Sequence, residues 1–266
     1  VNEKVGEYIL DNLEKKVDLT NPDETVYVEI TKDSAYIYLE KHFGYGGLPV
    51  GTGGRALSLM SGGIDSPVAS FMIAKRGVKV DYIHFHSYPY TSKASIEKTK
   101  DIIKTLQNFQ LGNNLYLVPF ADAQKEIVAK APARFRIILY RRFMLRISEK
   151  IAKENGYLAL ITGESVGQVA SQTLENIGAI GEVVDLPILR PISGMNKGEV
   201  IEIAKDIGTY KTSIWPCQDT CSWFMPDKPA TTPDIKKVRS AEANLTIDKL
   251  VDDMIKLTEL VQVEKI

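Results

Sequence analysis

Ser61-Gly62-Gly63-Ile64-Asp65-Ser66 follows the apolar run Ala56-Leu57-Ser58-Leu59-Met60 and precedes Pro67-Val68-Ala69-Ser70-Phe71-Met72-Ile73-Ala74, which places it where a buried strand turns into a helix. Two glycines let the backbone approach an anion without a clashing Cβ, and successive N–H groups form a concave nest for phosphate oxygens. Ser66 suits an N-cap and Pro67 the first helical position, so the unpaired N–H groups and positive end of the next helix would face the loop. The chemistry implied is phosphate binding. No lysine lies inside the loop and no Gly-Lys-Ser/Thr closes it, so it is not a Walker A sequence. Asp65 stands where that cation would be, and a carboxylate beside phosphates points to Mg²⁺ or a departing pyrophosphate. The plainer alternative is a tight turn capped by Ser66.

A second chemical feature is basic. Between Lys130 and Lys150 stand Lys130, Arg134, Arg136, Arg141, Arg142, Arg146 and Lys150 against one acid, Glu149. Apolar positions from Ile137 to Ile151 recur at helical spacing, so the arginines share the remaining faces of one long helix. That face is either solvated or holds phosphates, for which the planar guanidinium fork is well suited. A third feature is thiol chemistry. The chain has two cysteines, Cys217 and Cys221, both within one short segment, too few for a secreted disulfide scaffold.

The elements that must position these groups form an α/β pattern. With 266 residues, 44% hydrophobic and 25% charged, the chain can bury one large core or one core with an appendage. No apolar run approaches a membrane span and no export signal opens the chain, which points to the cytoplasm. The net charge of −1 confines any nucleic-acid contact to a local patch. The chain begins at Val1 in what reads as mid-domain sequence, so an N-terminal portion is expected to be missing. Residues 1–50 supply a helix striped by Val5, Ile9, Leu10 and Leu13, and two alternating strands at 26–30 and 35–39; these cannot close a core alone. The glycine-rich stretch 44–54 reads as a flexible linker.

Beyond it the spacing predicts strands at 56–60, 79–85, 115–119, 158–162 and 183–188. Helices are predicted at 67–76, 92–108, 121–130, 136–154, 165–177 and 197–207, with a helical tail over 234–263. Apolar strands alternating with helices imply a parallel sheet covered on both faces, with ligands at the carboxyl ends of the strands.

On this map the loop resembles the PP-loop of the ATP pyrophosphatases. Tyr82-Ile83-His84-Phe85-His86-Ser87, Arg141-Arg142-Phe143-Met144-Leu145-Arg146-Ile147 and Thr162-Gly163-Glu164-Ser165-Val166-Gly167-Gln168-Val169-Ala170-Ser171-Gln172-Thr173 narrow the resemblance to the tRNA 4-thiouridine synthetase (thiamine biosynthesis sulfurtransferase) family. The fold this implies is α/β: a parallel-sheet PP-loop domain of the adenine nucleotide alpha hydrolase-like kind over 51–266. It would be preceded, over 1–50, by the C-terminal part of a THUMP RNA-binding domain. The family's ferredoxin-like domain and the THUMP opening upstream, and the rhodanese domain of some members, are absent from this sequence.

The resemblance assigns ATP contacts to Leu59, Met60, Ser61, Gly62, Gly63, Asp65, Ser66, His84, Phe85, Arg141, Gly163 and Gln172. It assigns Lys197, in Gly194-Met195-Asn196-Lys197-Gly198-Glu199, to the phosphates. Cys221 matches the catalytic cysteine. With Cys217 it could carry and resolve a persulfide, or help ligate an iron–sulfur cluster, the less favoured reading because two thiolates are too few, or the two thiols could be incidental. The implied reaction adenylates O4 of a tRNA uridine with ATP and Mg²⁺, and then replaces that oxygen with sulfur from a cysteine desulfurase or other donor. Sulfur transfer for thiamine is a second family role, and a homodimer is left open. Lys130, Arg134, Arg136, Arg142 and Arg146 are the expected tRNA contacts. An amide-forming PP-loop ligase and a non-catalytic RNA-binding module are the competing classes.

Overall fold

The computed structural model describes residues 2–14, 16–110, 112–216 and 228–264, and the chain divides into two compact units, Val1–Gly46 and Gly47–Ile266. In the first, α1 (Asn2–Asn12) accompanies a hairpin of β1 (Tyr27–Ile30) and β2 (Ala35–Tyr38) paired antiparallel with Tyr27 opposite Tyr38. Those two rings stack with centroids 5.3 Å apart, an aromatic cross-strand pair of the kind that holds hairpin register. No residue of α1 is buried.

The second unit alternates strand and helix: β3 (Arg55–Leu59), α2 (Asp65–Ala74), β4 (Lys79–His86), α3 (Ala94–Leu106), β5 (Asn113–Pro119), α4 (Ala121–Lys130), α5 (Arg136–Glu154), β6 (Ala159–Ile161), α6 (Leu174–Gly181), β7 (Ile188–Leu189), α7 (Lys197–Asp206), α8 (Tyr210–Ser213), α9 (Ile235–Glu242), α10 (Ile247–Lys256) and β8 (Glu259–Val263). The sheet order is β7-β6-β3-β4-β5-β8, parallel except for β8. Alternate strand residues feed two cores. Leu57, Ile83, Tyr116 and Val118 pack on the side of α4, α5, α9 and α10, and Ala56, Val80, Tyr82 and Leu117 pack on the side of α2, α3 and α7. The chain runs outward from β3 through β4 and β5 and then returns to place β6 on the other flank of β3. The carboxyl ends of β3 and β6 therefore flank the switch point, where such sheets bind ligands. None of the described helices is long and apolar enough to cross a membrane.

Four sequence expectations are corrected. The stretch 165–177 is not one helix: Gly167 takes φ +75°, Val166 N donates to Ser193 O and Gly167 N to Gln172 O, and α6 starts only after Thr173, whose hydroxyl caps Asn176 N. The tail does not stay helical to 263. Glu259-Leu260-Val261-Gln262-Val263 alternates and pairs with the open edge of β5, because β-branched residues there suit a pleated half-buried surface. The linker is not loose over 47–54, since Leu48 N donates to Lys75 O and Gly51 and Gly53 N to Gly77 O. Finally, α2 starts at Asp65 with Ile64 as its N-cap, so Ser66 does not cap it and Pro67 is not its first residue.

Candidate active site

At the switch point the end of β3 turns through Ser61-Gly62-Gly63-Ile64 into α2. Gly62 sits at φ +74°, a conformation available to glycine at little steric cost. Ser66 closes the turn: its hydroxyl accepts from Ser61 N at 3.1 Å and lies 3.2 Å from Ser61 Oγ. Ser70 continues the chain inward, donating to Ser66 O and meeting Ser58 Oγ at 2.8 Å. The loop thus keeps its N-terminal helix dipole facing outward. From the neighbouring strand, β6, Gly163 closes on it so tightly that a Cβ there would lie 2.7 Å from Ser66 N and 2.8 Å from Asp65 C. This glycine is needed for the room it leaves, since the loop backbone already fills that space.

A cavity of about 260 Å³ opens over this corner. Its polar wall is Ser61, Asp65, Ser66, Thr162, Gly163 and Glu164, and its apolar wall includes Leu59, Phe85, Ile137, Met144, Leu145 and Ile180. Met60, His84, Arg141 and Gln172 complete the lining that the sequence anticipated. Such a division suits a ligand with one flat apolar end and one anionic end. Gly62 and Gly63 remain on the loop itself, and Lys197 arrives from the first turn of α7, where Glu199 accepts from Asn196 N at 2.8 Å. Lys197 Nζ lies 2.6 Å from Asp65 Oδ1, and Gln168 donates to Asp65 Oδ2 at 2.9 Å. The carboxylate is thereby fixed at the rim of the loop with a cation attached.

Glu164, which sequence reading quoted within a motif but gave no role, organises the opposite wall. Its side chain is 2% exposed and lies 2.6 Å from Arg141 and 2.5 Å from Arg190, while Thr162 Oγ1 donates to it at 3.0 Å. Burial pushes this carboxyl up, but the charges of Arg141 and Arg190 with the hydrogen bonds from Arg190 and Thr162 outweigh it and hold it below the ordinary carboxylate range. Glu164 therefore stays ionised and aims Arg141 at the cavity. His84 is pinned as well. Its Nδ1–H donates to Met60 O at 2.8 Å, and Ser95 Oγ stands 3.5 Å from Nε2. Burial drives its pKa down to about 4, with the Met60 carbonyl opposing, so a neutral imidazole ties the end of β4 to the end of β3.

The basic helix turns two of the expected RNA contacts inward. Arg142 is 2% exposed; it pairs with Glu242 at 2.7 Å and Glu182 at 2.8 Å, and donates to Ala179 O. Arg146 pairs with Glu242 at 2.5 Å. These two arginines bind acids that arrive from the loop after α6 and from α9, which no local count of charges on α5 could include. Lys130 lies 2.9 Å from Glu126, Arg136 donates to Val128 O at 3.4 Å, and Arg134 is exposed. Cys217 and Cys221 lie outside the described residues; just before them, Lys98 Nζ donates to Trp215 O at 2.7 Å.

The profile of the thiamine biosynthesis protein (ThiI) family matches residues 51–247, and that of the THUMP domain matches residues 1–40. The chain belongs to the ThiI family. A probable tRNA sulfurtransferase of Finegoldia magna is 48% identical over 262 residues, covering 98% of this chain and 65% of that protein. One from Caldanaerobacter subterraneus subsp. tengcongensis is 49% identical over 254 residues, covering 95% and 67%. The chain thus spans about two thirds of the length of these curated relatives. A crystal structure of a 4-thiouridine synthetase in complex with RNA and with bound ATP superposes with a TM-score of 0.91 at 42% identity, covering 99% of this chain and 69% of that one. The parallel sheet, its PP-loop corner and the THUMP segment are therefore family features.

Proposed function

We propose that this ThiI-family chain carries the catalytic part of an ATP-dependent tRNA sulfurtransferase that makes 4-thiouridine at position eight of tRNA. The observation that carries this reading is the cavity at the switch point, with an apolar slot beside the PP-loop and with Arg141 and Lys197 converging from other elements. The support from outside the chain is its likeness to a synthetase solved with RNA and ATP. Adenine would enter between Phe85, Met144 and Leu145, and the triphosphate would lie over the loop N–H groups.

A uracil oxygen is a poor leaving group. O4 attacks the α-phosphorus as N3 gives up its proton; the bond to pyrophosphate breaks, and the base carries AMP. Lys197 and the loop dipoles face the charge that builds on the departing pyrophosphate. A persulfide on Cys221 then attacks C4 through its terminal sulfur and AMP leaves. The Cys217 thiolate cleaves the resulting S–S bond, releasing the thiolated base and leaving a Cys217–Cys221 disulfide for a small thiol to reduce. A cysteine desulfurase is the kind of donor that would load Cys221. The family's description as a thiamine biosynthesis protein favours sulfur transfer to a thiazole as a second outlet of the same persulfide.

Among the described residues no group of three His, Cys, Asp or Glu side chains could hold a metal ion alone. Asp65, one carboxylate at the phosphate loop, fits Mg²⁺, which is commonly held by one or two carboxylates and the substrate's own phosphates. Asp65 would hold the ion there, which would supply charge neutralisation for the departing pyrophosphate. Exposed Lys130 and Arg134 remain the RNA contacts proposed from the basic segment.

The test is Cys221→Ser, assayed with unmodified tRNA, ATP and a loaded sulfur donor. Pyrophosphate release should persist while 4-thiouridine, read by nucleoside mass spectrometry, disappears. Unchanged 4-thiouridine would remove the persulfide step, and wild-type chain without tRNA-dependent pyrophosphate release would remove the proposal.

A further inference from the structure

β4 delivers His84 and Phe85 to the cavity and ends at His86. The next turn, Ser87-Tyr88-Pro89-Tyr90-Thr91, therefore rises from the ligand-binding edge of the sheet beside that cavity. Its two tyrosines are each 46% exposed, although the turn beneath them is firmly built. Ser87 O accepts from Tyr90 N at 2.8 Å and from Thr91 N at 3.1 Å, and Ser87 Oγ donates to Gln124 Oε1 at 2.6 Å. Ser87 and Gln124 are fully buried, and Thr91 nearly so. A cation attends each ring. Lys93 Nζ lies 5.0 Å from the Tyr88 centroid and Lys125 Nζ 4.4 Å from that of Tyr90, with Asp122 also 3.0 Å from Lys125.

We propose that Tyr88 and Tyr90 form a stacking platform for unpaired bases of the RNA substrate at the mouth of the nucleotide cavity. The inference rests on the function proposed above. A base whose O4 must reach an α-phosphorus has to leave its stack, and the bases it parts from need a new surface. Exposed aromatic rings interleaved with lysines supply that surface: rings stack on bases of any sequence, and lysines meet the phosphates between them. The buried anchor means that little ordering has to accompany binding. The lysines over the rings favour a polyanion over an apolar protein surface.

The experiment compares Tyr88→Ala, Tyr90→Ala, the double variant and the Tyr→Phe versions in the whole chain. It measures tRNA Kd, KM for tRNA in 4-thiouridine formation, and Kd for ATP. Each alanine should weaken tRNA binding and raise its KM by about 10-fold, the double variant should do so further, phenylalanine should restore both, and ATP affinity should stay constant. Wild-type tRNA affinity and KM in the double alanine variant would overturn the platform. So would a variant that loses activity only when sulfur comes from a donor protein and keeps it with inorganic sulfide, because the surface would then belong to that donor. A wild-type chain inactive toward tRNA refutes the function itself; an active wild type with an unaffected double variant refutes only the platform.

Discussion

Gly163→Ala adds one methyl group at the point where β6 meets the PP-loop. That carbon would lie 2.7 Å from Ser66 N, 2.8 Å from Asp65 C and 3.0 Å from Asp65 O. Ordinary contact begins near 3.4 Å, so the loop backbone or the end of β6 must yield by about 0.7 Å. Both are held by neighbours, the loop by Ser66 and Ser70 and the strand end by Thr162 N on Leu189 O. Overpacking of this kind costs about 1–3 kcal/mol of stability. A displacement approaching 1 Å at reacting groups can cost on the order of 100-fold in rate. The expected result is a folded variant with a lower urea midpoint, weakened ATP binding and tRNA-dependent pyrophosphate release down by roughly that factor. Gly178→Ala is the control, since a Cβ there meets nothing within 4 Å in α6; it should match or exceed wild-type stability with unchanged turnover. ATP affinity and pyrophosphate release at wild-type levels in Gly163→Ala would refute the claim that this contact shapes the phosphate site.

Three further outcomes follow from the same structure. Glu242→Gln should cost about 3 kcal/mol in urea unfolding, the low end for breaking a buried pair because Glu182 still compensates Arg142; a loss below about 1 kcal/mol would contradict that role. His84, held at about pKa 4 by burial, stays neutral while the unfolded imidazole titrates near 6.5. Its stability contribution is full above pH 6.5 and is lost as pH falls through the folded value, roughly 3 kcal/mol in all. The slope between pH 6.5 and 4 should flatten in His84→Gln, although His86, also lowered to about 4 by burial, leaves a residue of it; an unaltered slope would remove His84 as its source. Arg134→Glu should weaken tRNA binding and reduce its salt slope by about 0.7–0.9 for a lost phosphate contact; an unchanged slope would exclude Arg134 from the footprint.

Local patterns carried much of this fold. The Ser61 loop, the β-α alternation and the two α/β faces are short-range consequences of glycine placement and apolar period, and they put the loop, His84 and Phe85 on one edge of the sheet. Leu59, Arg141 and Gln172 were pointed to by the family motifs alone, and the fold sets all of them around one cavity. The charges of α5 were not legible in the same way. Arg142 and Arg146 looked unpaired because Glu182 and Glu242 come from distant parts of the chain. Glu164 escaped for the same reason: its partners Arg141 and Arg190 lie on separate elements, and only the closed sheet brings them together. The misreadings at 165–177 and 259–263 have different causes. In the first, tertiary hydrogen bonding to Ser193 overrode helical propensity, while in the second the alternating residues already suited a strand and the open edge of β5 supplied its partner.

The central claim is that the PP-loop corner parks AMP on a nucleobase before sulfur arrives. It is tested most directly by incubating the chain with α-labelled ATP and unmodified tRNA without any sulfur donor, and then adding sulfide. The account predicts label bound to the RNA in step with pyrophosphate release, and discharged as AMP when 4-thiouridine forms. 4-Thiouridine appearing while the RNA never carries label would contradict it.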